Sequence, residues 1–437
     1  MARQELPALA SEPLSAQVLA GKRIFYNARD PRMSAEGYLS CATCHLDGDH
    51  DGRTFDFTGR GEGLRNTTSL RGRGGMAHGL VHWSANFDEI QDFENDIRQF
   101  FGGRGFLTDA QFASTQNPLG PPKAGLNAAL DALAAYVASL GPSSLPRSPY
   151  RNPDGSLSAA AVRGQTVFQN EGCASCHTPP RYTESGMGLP PLLRDVGTLR
   201  PTSGGRLGGT LSGIDTPTLL GLFATAPYFH DGSAATLEDV FRVTGGVLVP
   251  AENGTPYGGA WIVNQFTEQN YDDTPRGRAF VNLEGNGQGL RLTGVNGGSG
   301  GTAALEIRFS NSRPLGGSIG LRVRVNGSLW QTVSLPGVGN DPNWRMTNWE
   351  SLWIEGFTLN AGSGNTIELE ATDWAIAIDE VLIANHNRLQ QAQPHRRVLA
   401  LSPSDRADLI AFLRSLDRQT AAGSAPPPSA IFADGFE

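Results

Sequence analysis

The sequence has 437 residues, 35 Lys and Arg against 43 Asp and Glu for a formal net charge of −8, and is rich in glycine (55) and proline (28). That length exceeds what one hydrophobic core organises and predicts two or three domains. The acidic balance argues against nucleic acid or an anionic membrane as partner, no apolar run approaches the ~20 residues that span a bilayer, and the Met1 to Glu5 start has no apolar signal core.

The first predicted element is a helix opened by Ser15 and carrying Gly21 and Phe25, in the pattern Ser-Ala-x-x-aliphatic-x-Gly-x-x-aliphatic-Phe-x-Asn. Phe25 lies four positions after Gly21 on one helical face, and glycine there lets another backbone come close, so a second helix is expected to cross at Gly21. The motif Cys41-Ala-Thr-Cys44-His45 follows, then a Gly-rich stretch with His78 and His82 and a helix from Asp88 to Phe101. A closing helix carries Leu133, Tyr136 and Leu140, whose i, i+3, i+7 spacing makes one apolar stripe. Residues 142–157, rich in proline and serine, read as a linker. The same order then repeats as Ser158, Gly164 and Phe168, the motif Cys173-Ala-Ser-Cys176-His177, and far downstream Leu409, Phe412 and Leu416. The chain therefore reads as a duplicated, mainly α-helical haem domain, at 1–141 and at 158–250 plus 394–418.

Within the second copy, over residues 251–393, the periodicity changes from helical to alternating, as in Ala304-Leu-Glu-Ile-Arg-Phe309, with Asn-Gly and Gly-Gly turns between the runs. An all-β domain inserted before the closing helix is expected. Residues 419–437 are too poor in apolar side chains to order themselves and read as a flexible tail.

Every cysteine belongs to one of the two Cys-x-x-Cys-His motifs. In that spacing two thiols form thioethers to the porphyrin vinyl groups and the adjacent histidine gives iron its imidazole. Two covalently bound c-type haems are predicted, on Cys41, Cys44 and His45 and on Cys173, Cys176 and His177. A dithiol redox pair, or one zinc site built from both pairs, stays open on spacing, but neither explains a histidine after each pair. Haem attachment is completed outside the cytoplasm, so a periplasmic or secreted location is expected, with a leader removed or the start misassigned.

The stretch Thr216-Pro-Thr-Leu-Leu-Gly-Leu-Phe-Ala-Thr225-Ala-Pro227-Tyr-Phe-His230-Asp-Gly-Ser-Ala-Ala-Thr-Leu-Glu-Asp-Val240, together with Leu64-Arg65-Asn66-Thr67 and Val81-His82-Trp83, resembles the bacterial dihaem cytochrome c peroxidases and their MauG-like relatives. The resemblance implies peroxide activation at the His45 haem, electron relay through the His177 haem from a small redox protein, and Trp83 between the two as a relay. It also implies an inter-haem calcium on the Asn66 side chain and the Thr225 and Pro227 carbonyls, oxygen donors suited to a hard cation. Three positions depart from the family. Thr244 stands where the family has methionine or tyrosine on the second iron, leaving it five-coordinate or ligated by His386 or His395. The removable histidine of the first haem falls near Thr58, leaving that iron open or ligated by His78, His82 or Met76. The distal glutamate falls on Gly103, so Glu94 or Glu89 is the candidate acid-base group, with a solvated acidic helix face as the plain alternative.

The insert resembles jelly-roll carbohydrate-binding modules of families 6 and 35, on Ala251-Glu252, residues 361–370 and Ala377-Ile378-Asp379. The resemblance implies a structural calcium on Glu252 and Asp379, and sugar stacking on some of Trp261, Trp330, Trp344, Trp349, Trp353 and Trp374. Ala377 replaces the usual sugar-binding asparagine, so a plain interaction or shielding domain competes with polysaccharide binding. Three functions follow: a peroxidase reducing hydrogen peroxide, a MauG-like or oxygenase-type oxidation of a bulky substrate, and a non-catalytic electron-transfer protein.

Overall fold

A computed structural model describes residues 12–264, 279–340 and 348–422. The chain divides into two compact units, one of 12–195, 202–241 and 397–422 and one of 196–201 and 242–396.

The first unit is mainly helical. Its long helices are α1 (Ala16–Phe25), α2 (Phe93–Gln99), α3 (Ala128–Ser139), α4 (Ala159–Asn170) and α5 (Pro403–Arg414). Four of them start on a side chain that accepts a free backbone N–H, Ser15, Asn127, Ser158 and Ser402 in turn. α1 packs on α3 and α4 on α5, with the glycines where the repeat puts them. A Cβ on Gly21 would overlap the Ala132 carbonyl, and one on Gly164 the Asp408 carbonyl. Each pair builds its own core. Phe25, Leu130, Leu133 and Tyr136 form one, against which Cys41 and Ala42 pack. Phe168, Leu409, Phe412 and Leu416 form the other, beneath Cys173 and Ala174. The two motifs thus sit on equivalent floors.

Three segments depart from expectation. The helix expected over Asp88 to Phe101 is a 3-10 turn, Ile90–Asp92, leading into α2, because Asp92 folds back to accept the N–H groups of Asp88 and Glu89. The Pro/Ser-rich linker is anchored, since Leu145 is buried and Ser148 bonds to Asp417 and to the Arg414 carbonyl. The expected tail begins in a short helix, Arg418–Ala422, held by Asp417 on the N–H of Gln419 and by Arg151 on the Thr420 hydroxyl. Residues 423–437 lie outside the described ones. Among the described residues no helix is long and apolar enough to cross a membrane.

The second unit is all antiparallel β apart from short helical turns. Its strands are β1 (Val247–Pro250), β2 (Thr255–Tyr257), β3 (Trp261–Val263), β4 (Phe280–Leu283), β5 (Gly289–Val295), β6 (Gly301–Asn311), β7 (Ser318–Val325), β8 (Gln331–Pro336), β9 (Glu350–Leu359), β10 (Asn365–Ala371) and β11 (Ile376–Ala384). One sheet runs β9-β6-β11-β4-β3 with β1 beside β11, and the other β8-β7-β10-β5-β2. Their inner faces meet in one core that includes Leu305, Ile307, Leu321, Val323, Leu369 and Ile378. β7 shows the expected alternation, with Ile319, Leu321, Val323 and Val325 inward. β11 is buried on all nine residues. Its pairing with β6 slips between Arg308 and Phe309, which face Glu380 and Ile378, so Asp379 is the extra residue of a bulge.

Candidate functional site

Both Cys-x-x-Cys-His motifs close a single helical turn in which the histidine N–H donates to the first cysteine's carbonyl at 2.9 Å. The first turn, Cys41–Cys44, is started by the Thr43 hydroxyl, which accepts the Ser40 N–H. His45 then bonds through Nδ1 to the Asp49 carbonyl, and His177 through Nδ1 to the Tyr182 carbonyl, both at 3.2 Å. A carbonyl only accepts, so Nδ1 carries the proton in each ring and Nε2 keeps its lone pair. Burial reinforces the neutral form, pushing His45 down to about 4 and lowering His177 as well.

The thiols behave oppositely to a reactive dithiol. Burial pushes Cys41 up to about 12 and Cys173 up to about 11, whereas redox-active and zinc-binding cysteines are stabilised as thiolates. Among the described residues no three His, Cys, Asp or Glu side chains converge to hold a metal ion, so the two cysteine pairs do not form the one zinc site that spacing had left open. Two cysteine sulfurs and one oriented Nε2 lone pair per motif are the donor set a c-type haem takes.

A pocket lies between the motifs, lined by Thr68, Arg73, His78, Leu80, His82, Trp83, Thr183, Ser185, Asp215, Thr216, Pro217 and Thr218. The backbone of Thr68 adjoins the His45 ring, and that of Pro217 adjoins His177. Trp83 thus shares the wall of this pocket with a neighbour of each motif histidine. Its Nε1 donates to the Asn66 carbonyl at 2.8 Å, and its own carbonyl accepts the Asp215 N–H at 2.9 Å. Asp215 accepts the Ser185 hydroxyl, and burial pushes its carboxyl up to about 6.

Asn66 carries an unresolved polar balance. Its Nδ2 donates to the carbonyls of Pro227 at 2.5 Å and Phe229 at 3.2 Å, while its Oδ1 is buried with no hydrogen-bond partner among the described residues. Turning the amide over would set two oxygens against each other, an arrangement that suits a hard cation between them. The Asn66 and Pro227 pairing thus fits calcium. Thr225 is nearby in the chain, its hydroxyl turned to the Leu222 carbonyl.

The histidines proposed as further ligands differ in setting. His78 faces the pocket, with a buried Nδ1 that has no partner among the described residues, and His82 bonds through Nδ1 to Asn86 at 2.7 Å. Burial pushes both down to about 4. Met76 packs against the first core. Thr244, His386 and His395 belong to the β unit, where the buried Thr244 hydroxyl donates to the Gly245 carbonyl.

The acid-base assignment is corrected. Glu94 is wholly buried and both oxygens are engaged, by Arg98 and by the N–H groups of Phe106 and Leu107. Glu89 is taken up by the N–H groups of Lys123 and Ala124. Each acts as a backbone anchor, and neither lines the pocket. Besides Asp215, a buried carboxylate that reaches a pocket side chain is Glu62, through Asn86 to His82. No sequence spacing links Glu62 to the other two, because it comes from a separate loop that precedes the short strand Leu64–Asn66.

In the β unit one oxygen of Asp379 is paired with Arg308 at 2.6 Å. Glu252 keeps a buried Oε2 with no partner among the described residues. Of the tryptophans, Trp261 and Trp374 are exposed, Trp330 lies beneath Arg322 and Arg324, Trp349 packs on Phe280, and Trp353 packs beside Leu389. Trp344 lies outside the described residues.

A family described as RoxA-like, cytochrome c-like matches residues 213–244. The chain is 29% identical to hydrazine synthase subunit gamma of Kuenenia stuttgartiensis, over 50% of this chain and 68% of that protein. It is 27% identical to cytochrome c551 peroxidase of Pseudomonas aeruginosa, over 55% and 75%, and 25% identical to the methylamine utilization protein MauG of Methylophilus methylotrophus, over 54% and 75%. Among solved structures, a family 35 carbohydrate binding module from Clostridium thermocellum is 23% identical over 32% of this chain and 97% of its own, with a TM-score of 0.26. An exo-beta-1,3-galactanase from Phanerochaete chrysosporium is 22% identical over 32% of this chain, with a TM-score of 0.27, and the chain spans 30% of that protein's length.

Proposed function

From a chain that is a relative of the bacterial cytochrome c peroxidases and MauG, and so a c-type haem oxidoreductase at family level, we propose a dihaem, peroxidase-like enzyme acting outside the cytoplasm. It is built of two cytochrome c domains and an inserted jelly-roll. Hydrogen peroxide is reduced beside His45, and electrons enter beside His177 from a small redox protein. The observation that carries this reading is the pocket whose wall holds Trp83 together with Thr68, a neighbour of His45, and Pro217, a neighbour of His177.

When bound, the haems supply the iron and the redox equivalents. The remaining tasks fall to the chain. His45 and His177 present fixed Nε2 lone pairs, because each Nδ1 proton is held by a carbonyl. Trp83 is a polarisable ring held by the Asn66 carbonyl, so calcium on Asn66 and Pro227 would also fix the relay. In the β unit Trp261 and Trp374, exposed among the described residues, are the rings assigned to stacking on a polysaccharide.

The test is optical. The exported holoprotein, mixed with peroxide before and after one electron equivalent of reductant, is expected to lose a high-spin band in at least one of the two states. Two low-spin spectra that ignore peroxide in both states overturn the enzyme reading and leave an electron-transfer protein. Separately, Cys176→Ser is expected to lower the protein mass by one haem while the other stays attached. A variant that keeps both haems defeats the attachment scheme.

A further inference from the structure

His82 sits in a strained and unusually well-braced turn. Its φ is +70°, in the left-handed region that a histidine adopts only when its surroundings hold it there. The turn is closed by the Val81 to Phe87 bridge and by the Ala85 N–H on the His82 carbonyl. Arg206 clamps it from outside by donating to the carbonyls of Ser84 and Ala85 at 2.7 and 2.9 Å. The ring packs on Phe87 and Phe93, with centroids 4.5 and 5.0 Å away, and Phe93 packs against the same core as Cys41 and Ala42.

The hydrogen bonds fix which nitrogen carries the proton. Glu62, 4% exposed, has Arg65 at 3.3 Å and Arg60 at 3.8 Å and accepts on both oxygens. It takes the Ser84 hydroxyl at 3.2 Å and the Asn86 amide N–H. Asn86 must therefore turn Oδ1 to His82, and His82 must donate from Nδ1. Nε2 is left as an acceptor on a ring that lines the pocket.

We propose that His82 is the proton acceptor for the substrate at the first haem site, with Asn86 and Glu62 as positioning residues that hold its tautomer. The assignment rests on the peroxidase-like reading. Hydrogen peroxide gives one proton to Nε2 as its oxygen engages the site, forming hydroperoxide anion and imidazolium. The new positive charge lies one amide away from the Glu62 carboxylate, with Arg60 and Arg65 as the other charged groups facing the ring. The same geometry serves any small neutral acid that binds as its anion, and hydrogen cyanide is such an acid.

The experiment measures association of cyanide and of peroxide with the oxidised holoprotein, and of carbon monoxide, which has no proton to lose, with the reduced one. His82→Asn keeps a residue that tolerates positive φ and removes Nε2. It is expected to slow cyanide and peroxide about a hundredfold or more while leaving carbon monoxide and the resting spectrum unchanged. His82→Gly is the second variant, and added imidazole is expected to restore its cyanide rate. Asn86→Leu is expected to slow cyanide in the parent but not in His82→Gly, since a positioning residue has no effect once its target is gone. Parental cyanide rates in His82→Asn overturn the proposal. So does a shift of its resting spectrum from low to high spin, which would make His82 an iron ligand. A parent that binds cyanide but ignores peroxide defeats the peroxidase reading alone.

Discussion

Gly164→Ala is expected to destabilise the helical unit by about 3 kcal/mol and to loosen the second haem site, although alanine is the better helix former by about 1 kcal/mol. The added Cβ falls on the Asp408 carbonyl and within 2.9 Å of the Leu409 nitrogen, so it meets backbone that has no rotamer to move aside. Restoring ordinary non-bonded separation requires α4 and α5 to part by roughly 1 Å or more. That shift reaches Phe168, Leu409 and Phe412, the floor under Cys173 and Ala174. Overpacking in close-packed cores costs about 1–3 kcal/mol and more when backbone must move. The control is Gly59→Ala, where nothing lies within 4 Å of the new Cβ. Thermal melts followed by far-UV and Soret dichroism should show a marked loss for Gly164→Ala and almost none for Gly59→Ala. Equal melting temperatures for the two would refute the close crossing.

That crossing was legible because it depends on residues four apart on one helix, Gly164 and Phe168, where spacing alone sets the face. The two haem motifs were legible for the same reason, since Cys41, Cys44 and His45 form one turn. The alternation of β7 likewise announced its strand. Glu94 was offered as the acid-base group, with a solvated helix face as the alternative, and only the chain returning at Phe106 and Leu107 shows that its oxygens are spent on backbone N–H groups. The bulge that buries Asp379 beside Arg308 was not legible, because it depends on pairing with β6. The Glu62, Asn86 and His82 chain lies beyond any local rule. It joins residues 20 or more positions apart at one end and four at the other, and its meaning comes from which oxygen can only accept.

Lys123→Met should cost about 3–5 kcal/mol at neutral pH and much less in acid, because the substitution leaves a buried carboxylate without its cation. Lys123 is 0% exposed and Asp92 1% exposed, and Nζ lies 2.6 Å from Oδ1. The other Asp92 oxygen is spent on the N–H groups of Asp88 and Glu89, so the carboxylate cannot turn to water. Burial already pushes Asp92 up to about 6 from 3.8, with Lys123 pulling it back. Without the lysine it rises further. A group whose folded value is raised contributes its full stability below the unfolded value and loses it as pH climbs through the folded one. Parent and variant share that loss up to the parent's value of about 6, so the penalty in Lys123→Met relative to the parent grows above about pH 6, as the variant's still higher folded value is approached. Asp92→Asn in the same chain removes the stranded charge and should recover most of the loss at pH 8 while changing little at pH 5. Melting temperatures of the parent, the single and the double variant at those two pH values decide it. A loss that is the same at both, or that the second substitution deepens, would mean that Lys123 acts through packing of its stem and not through the pair.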